Sequence, residues 1–490
     1  MAICRRQFGA CILASLALPK LSAVSRQKLI VVVIQEQFRP DYLDSAGPQL
    51  SAGGFRKLMQ GGAWFPDCRH AASTFNATGI ATLATGAWPA QHGIVADTWY
   101  DRAAGRAVPA SDEELMATTL AAQIAVEPRN RVYVISMEPA HAPLFAQSED
   151  AALYWLDEQG AIATDDETPD WLANFNSQHD PANAHNAKWI AVGAKPDAAP
   201  LRILRYEAGH EGDFMAFYKS SPWAQDVQFD LLSELITRER LGQGSGLDFV
   251  CLIAGAMSRL GYETGGHSPL MNQMVLRLDH RIEMLLGQLS RAPGDGNFHF
   301  ALAGAHGAPP LPSETSRARM TVEGETVAEA IDRALASHGL GRVQKYVYPN
   351  LYLNTEGFRD PEELRLAAAR AAMELPAMAG FYTAGGACST RDEWRRRFHN
   401  SFHPRNSGDV MLSYRPEYVE AYAQDRGVSY GSLYNYDVRV PLFLYGPSFR
   451  SGIYEGPVES VDVAPTLARI AGAAVPSSSV GRVLAEAILE

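Results

Sequence analysis

Cysteine is scarce in this chain. Five occur in 490 residues, at positions 4, 11, 68, 251 and 388, and no two form a CxxC pair. That spacing excludes a zinc-ribbon or thioredoxin-type motif. Basic residues are also in deficit, 43 Lys and Arg against 55 Asp and Glu, for a formal net charge of -12. Binding of nucleic acid or of anionic membranes through a basic field is therefore not expected. Internal repeats and low-complexity tracts are absent. Apolar runs long enough to span a bilayer are absent too, so no membrane span is expected.

The first 23 residues, MAICRRQFGACILASLALPKLSA, place Arg5 and Arg6 before an apolar run from Phe8 to Leu18, with Ser22 and Ala23 following. This is the order of a secretory signal, although Leu21 stands where a small residue is preferred. The alternative is a buried N-terminal helix. The signal reading gives a mature chain of 24–490 in the periplasm or outside the cell. Cys4 and Cys11 would leave with the signal. Cys68 and Cys388 then become a possible pair, and Cys251, within an apolar run, reads as a small buried hydrophobe.

Hydrophobic residues make up 47% of the chain, enough to bury a large core. KLIVVVI (28–34) is a nearly continuous β-branched run, the pattern of a strand covered on both faces. RVYVIS (131–136), DFVCLIAG (248–255), FHFALAG (298–304) and VPLFLYG (440–446) are similar. Met271, Met274, Val275, Leu278, Ile282, Leu285, Leu286 and Leu289 recur at three- and four-residue steps and predict one face of a long helix. The alternation predicts an α/β fold, a three-layer α/β/α sandwich around a mostly parallel sheet. Function in such sheets gathers beyond the C-terminal strand ends. Residues 137–222 and 313–405 carry weaker strand signals and more Pro, Asn, Asp and His, and read as cap insertions into a single domain.

Several segments occur in an order with a known counterpart. They include VVVIQEQFRPDYL (31–43), STFNATGIATLATG (73–86), HGIVADTWYDR (92–102), AGAHGAPPLP (303–312), YNYDVRVPL (434–442) and VDVAPTL (461–467). Together they resemble the alkaline phosphatase superfamily, in its type I phosphodiesterase/nucleotide pyrophosphatase branch, across nearly the whole mature chain. The resemblance implies a phosphoric ester hydrolase with two zinc ions around a Thr or Ser nucleophile.

The residues at the matching positions depart from that pattern. Where the resemblance places the nucleophile, the chain has Asn76, whose carboxamide is neither nucleophilic nor an anionic metal bridge. One zinc position would be served by Ser258, Tyr262 and Tyr430, which retain no usable ligand. The other would be served by Glu36, Asn76, Ala305 and His306, where Glu36 and His306 remain as remnant candidates. Two ligands fall short of the three a catalytic zinc needs. His267 is a possible substitute, though a solvated loop histidine is the plainer reading. The phosphate-contact positions hold Asp97, Glu138 and Ala140 instead of Asn, Lys and Arg. Arg39 and Arg259 are expected to pair with the acids left there, and Asn76 to cap the helix that follows it. No C/S-x-P-x-R sequence supports a sulfatase.

Two readings follow. In the first, the chain has lost nucleophile and metal, uses no cofactor, and binds a small molecule or a protein in the old cleft. Glu36, Asp97 and Glu138 there disfavour a phosphate ester and favour a neutral or cationic ligand. In the second, Ser73, Thr74 or Thr78 replaces the nucleophile and zinc on Glu36 and His306 sustains phosphoric ester hydrolysis.

Overall fold

The computed structural model describes residues 28–489, apart from 113–114, 196, 311–319, 341, 391–392 and 421–429. The expected signal at 1–23 lies outside the described residues. In chain order, the principal strands of the main sheet are β1 (Leu29–Gln35), β2 (Ala63–Arg69), β3 (Arg131–Ser136), β4 (Ala151–Leu156), β5 (Ile162–Thr164), β6 (Asp248–Ala254) and β7 (Phe298–Gly304). The last principal strand, Arg439–Tyr445, is β12, because β8 (Val343–Val347), β9 (Asn350–Leu353), β10 (Met378–Thr383) and β11 (Val410–Tyr414) form a separate sheet.

The main sheet runs β2-β12-β7-β1-β6-β3-β4-β5. β1 sits between β7 and β6, parallel to both, and all seven of its residues are buried. Its alternation decides the layering. Leu29, Val31 and Val33 enter one hydrophobic core, and Ile30, Val32 and Ile34 enter the other. A β-branched run serves both faces because each must pack against helices. On the first face lies the helix Pro269–Leu289, which buries the whole predicted stripe from Met271 to Leu289. On the opposite face lies the helix Asn76–Thr85, nearly all of it buried. The five strands expected from apolar runs are therefore all present in a sheet whose central strands are parallel. β12 and β5 run antiparallel to their neighbours.

Two strands are less legible. β2 contains Pro66, which sits where the pairing with β12 slips between Val440 and Leu442. Such an irregularity is where a sheet tolerates a residue without N–H. β4 and β5 fall inside 137–222, so that stretch is not wholly a cap: its first part extends the main sheet. The second cap expectation ends too early. The sheet β8-β9-β11-β10 takes β11 from beyond residue 405, and strand Met320–Val322 pairs with Tyr418–Glu420. The cap has its own core of Ile331, Leu351, Leu364 and Leu412, into which Phe75 and Ala96 of the main domain also pack. Cys68 and Cys388 are free, not bridged, and Cys251 is buried as expected. Among the described residues no helix is long and apolar enough to cross a membrane.

Candidate functional site

The C-terminal ends of β1, β3, β6 and β7 lie side by side, and their loops are tied through backbone hydrogen bonds. Glu36 N donates to Ala254 O at 3.1 Å, Met137 N to Ile253 O at 3.2 Å, and Ala305 N to Gln35 O at 3.0 Å. These bonds bring Glu36, Glu138, Ser258 and His306 together although they are far apart in sequence. Beside them the cap leaves a cleft of about 900 Å³. Glu36, Asn76, Asp97, Glu138, Ser258, Tyr262 and Tyr430 line it. Ala305 and His306 lie beneath, fully buried. Ala140 stands at the start of the short helix His141–Ala146.

Asn76 is the first residue of its helix, not its cap. The capping position is Phe75, which offers no side-chain acceptor. The acceptor comes from elsewhere: Asp97 Oδ1 takes the Ala77 N–H at 2.8 Å. Asn76 cannot cap because a residue already in helical conformation aims its side chain away from the free N–H groups of its own first turn. Its amide turns instead toward His306, with Oδ1 2.6 Å from Nε2, and toward Tyr430 OH and Ser258 Oγ at 3.3 and 3.4 Å. Burial pushes His306 down to about 3, so its ring is neutral at ordinary pH. The Tyr430 ring lies 4.3 Å from that imidazole, centroid to centroid.

Glu36 approaches His141, which the sequence does not mark because it lies one residue beyond the phosphate-contact positions that end at Ala140. Nδ1 of His141 is 2.8 Å from Glu36 Oε1, close in distance though not aligned as a hydrogen bond. Burial pushes the His141 pKa down, but the charge of Glu36, then those of Asp97 and Glu138, outweigh it and the net shift is upward. Burial also raises the Asp97 carboxyl, partly offset by the Ala77 N–H.

The two arginines behave differently from one another. Arg259 pairs with Glu138 at 2.6 Å. Arg39 does not reach the cleft acids. It binds Asp41 and the Ala308 carbonyl, because its helix turns the guanidinium back over its own first turn. His267 faces the same Asp41 at 3.5 Å and the Tyr42 ring, outside the cleft lining. The candidate hydroxyls are also outside that lining. Thr74 donates to Ser432 O, while Ser73 and Thr78 are buried behind the loop.

The cap supplies what the sequence did not mark: Tyr346, Tyr348 and Glu420 on one wall. Asp213 and Phe217, from the helix Glu211–Lys219, and Glu263 lie on the other. Glu420 accepts from Tyr414 OH at 2.6 Å, and burial lifts its carboxyl to about 7. Among the described residues, no three His, Cys, Asp or Glu side chains converge as metal ligands.

The chain is similar to alkaline phosphatases along almost its full length. It is 22% identical to alkaline phosphatase PafA of Elizabethkingia meningoseptica over 96% of each protein. It is 26% identical to alkaline phosphatase PhoD of Zymomonas mobilis, covering 91% of this chain and 85% of that protein. The crystal structure of wild-type PafA superposes with a TM-score of 0.83 at 20% identity, covering 95% of this chain and all of that one. Murine ectonucleotide pyrophosphatase/phosphodiesterase 5 superposes less closely, with a TM-score of 0.55 at 17% identity over 92% of this chain and 96% of that one. The family model described as type I phosphodiesterase / nucleotide pyrophosphatase matches residues 30–432, and the chain belongs to that family.

Proposed function

We propose that this chain is a non-catalytic member of its family, exported to the periplasm or beyond the cell, that uses the inherited cleft to bind a ligand or partner. The observation that carries the reading is the state of Asn76. It occupies the helix start where the family resemblance puts a nucleophile, and its amide is bound to His306. A carboxamide has no nucleophilic oxygen to activate.

The donor set does not fit a zinc pair. Ser258, Tyr262 and Tyr430 are neutral hydroxyls, and burial raises the Tyr262 phenol further from ionisation. His306 Nε2 is taken up by Asn76, and Glu36 faces His141. A catalytic zinc needs about three His, carboxylate or thiolate ligands with room left for substrate. Phosphate recognition falters for the same reason. Glu138 and Asp97 line the cleft, and Arg259 is already paired. A dianion entering such a cleft meets like charge in a low-dielectric surround.

The test is to saturate the purified mature chain with zinc, strip free metal, and measure zinc per chain beside an authentic two-zinc phosphatase. Turnover of an aryl phosphate is assayed in parallel. The expected result is zinc near zero and no turnover. Bound zinc together with turnover that disappears in His306→Ala would overturn the reading in favour of a metal-dependent hydrolase.

A further inference from the structure

Ion pairing divides the carboxylates of the cleft into two kinds. Glu138 and Glu263 pair with Arg259 and Arg202 at 2.6 Å, and Glu36 lies 2.8 Å from His141 Nδ1, whose pKa its charge raises. Asp213 lies 3.5 Å from His210 on the exposed rim. Asp97 and Glu420 differ. Both face the cleft, and neither forms an ion pair among the described residues. Each holds only uncharged donors, the Ala77 N–H and Tyr430 hydroxyl on Asp97 and the Tyr414 hydroxyl and Gly324 N–H on Glu420.

A continuous line of rings joins these two carboxylates. Tyr430 meets Phe75 edge-on at 6.1 Å, Phe75 meets Tyr348 at 6.5 Å, and Tyr348 stacks on Tyr414 at 4.6 Å. Steep angles of 70° and 67° between the first two pairs set the rings as walls, not as a flat stack. Phe75, Tyr348 and Tyr430 all line the cavity. Aromatic faces attract cations through their quadrupole and also cover alkyl groups, and a neighbouring carboxylate adds a charge partner. Phosphate and sugars gain little here. Phosphate finds no unpaired guanidinium among the described lining residues. A sugar could also stack on these rings, but it brings no charge to answer the two carboxylates.

We propose that the cleft binds an organic ammonium cation, its charge placed between Asp97 and Glu420 and its carbon groups against Phe75, Tyr348 and Tyr430. The inference rests on the non-catalytic reading, since it takes the inherited cleft as a binding site free of metal and phosphate. Burial at both carboxylates supports it. Burial disfavours ionisation at both, and a bound cation offsets that cost.

The experiment is calorimetric titration of the mature chain at pH 8 with tetramethylammonium, spermidine, orthophosphate and glucose. The two ammonium probes separate a compact head group from a chain carrying several charges. Saturable binding of at least one of them is expected, with orthophosphate and glucose silent. Asp97→Asn and Glu420→Gln, which keep side-chain size, are each expected to weaken that binding at least tenfold. Thermal melts of both variants show whether they are folded, and either folded variant suffices. Silence from both ammonium probes, binding unchanged in a folded variant, or tighter binding of orthophosphate would overturn the inference. The zinc and turnover measurements keep the two conclusions apart. Absent zinc with silent ammonium probes sinks this inference alone, whereas bound zinc with turnover sinks the reading beneath it.

Discussion

Asn76 Oδ1 and His306 Nε2 stand 2.6 Å apart, and His306 Nδ1 stands 2.6 Å from the Gly307 carbonyl oxygen. A neutral imidazole carries one N–H and cannot donate to both oxygens. Turning the Asn76 amide over resolves the conflict, since amide orientation is assigned from hydrogen bonding. The amide N–H then donates to Nε2, the ring N–H serves Gly307, the Ser258 hydroxyl donates to the amide oxygen, and the Tyr430 hydroxyl keeps its bond to Asp97. Asn76 thereby becomes the centre of a satisfied polar network.

Asn76→Ala is accordingly expected to destabilise the fold by about 1–2 kcal/mol, because it strands a buried ring nitrogen. Urea unfolding measures this. An unchanged midpoint would mean that water replaces the amide and that the network carries no stability.

Asp97 makes two separable contributions. Asp97→Ala removes the acceptor for the Ala77 N–H and should cost about 1 kcal/mol. Asp97→Asn keeps an acceptor and removes a buried charge. The native carboxyl is raised by burial, so wild-type stability falls as pH rises from the ordinary carboxylate value to the folded one. The Asn variant escapes that loss and should equal or exceed wild type at pH 8, as read from denaturant midpoints.

Gly79 allows its helix to lie against the loop after β7. A Cβ there would sit 2.0 Å from the Ala305 carbonyl oxygen, which is backbone and cannot swing aside. Gly79→Ala should therefore destabilise by about 2–3 kcal/mol despite its gain in helix propensity. A melting temperature equal to wild type would show that helix and loop separate freely.

Glu420 gives the cap a pH dependence. Burial lifts it to about 7 against the Tyr414 and Gly324 donors that pull it down. The folded state therefore holds a proton that the unfolded chain has already lost, and stability falls between about pH 4.5 and pH 7. Above that window the loss is complete. Glu420→Gln should flatten this slope and raise the melting temperature at pH 8 relative to wild type, by roughly 1–3 °C. Parallel curves for the two proteins would place the titration elsewhere.

The sequence alone determined the layers of this protein. Leu29–Gln35 and its neighbours are legible because a strand buried on both faces needs an unbroken apolar run, and Pro269–Leu289 because a helix on a core repeats every three to four residues. The motif segments likewise marked Glu36, Asn76, Asp97, Glu138, Ser258, Tyr262 and Tyr430, and all seven line one cleft. Tertiary structure decided what those residues do. Asp97, not Asn76, caps the helix, across 20 positions. Arg39 turns to Asp41, and His141 rises to meet Glu36. Glu420 reaches the cleft from a cap strand that begins beyond the expected boundary. Local patterns record burial because burial acts on each residue in turn. Hydrogen-bond partners and charge neighbours are set by which distant loops the folded sheet brings together, and no sequence spacing encodes that.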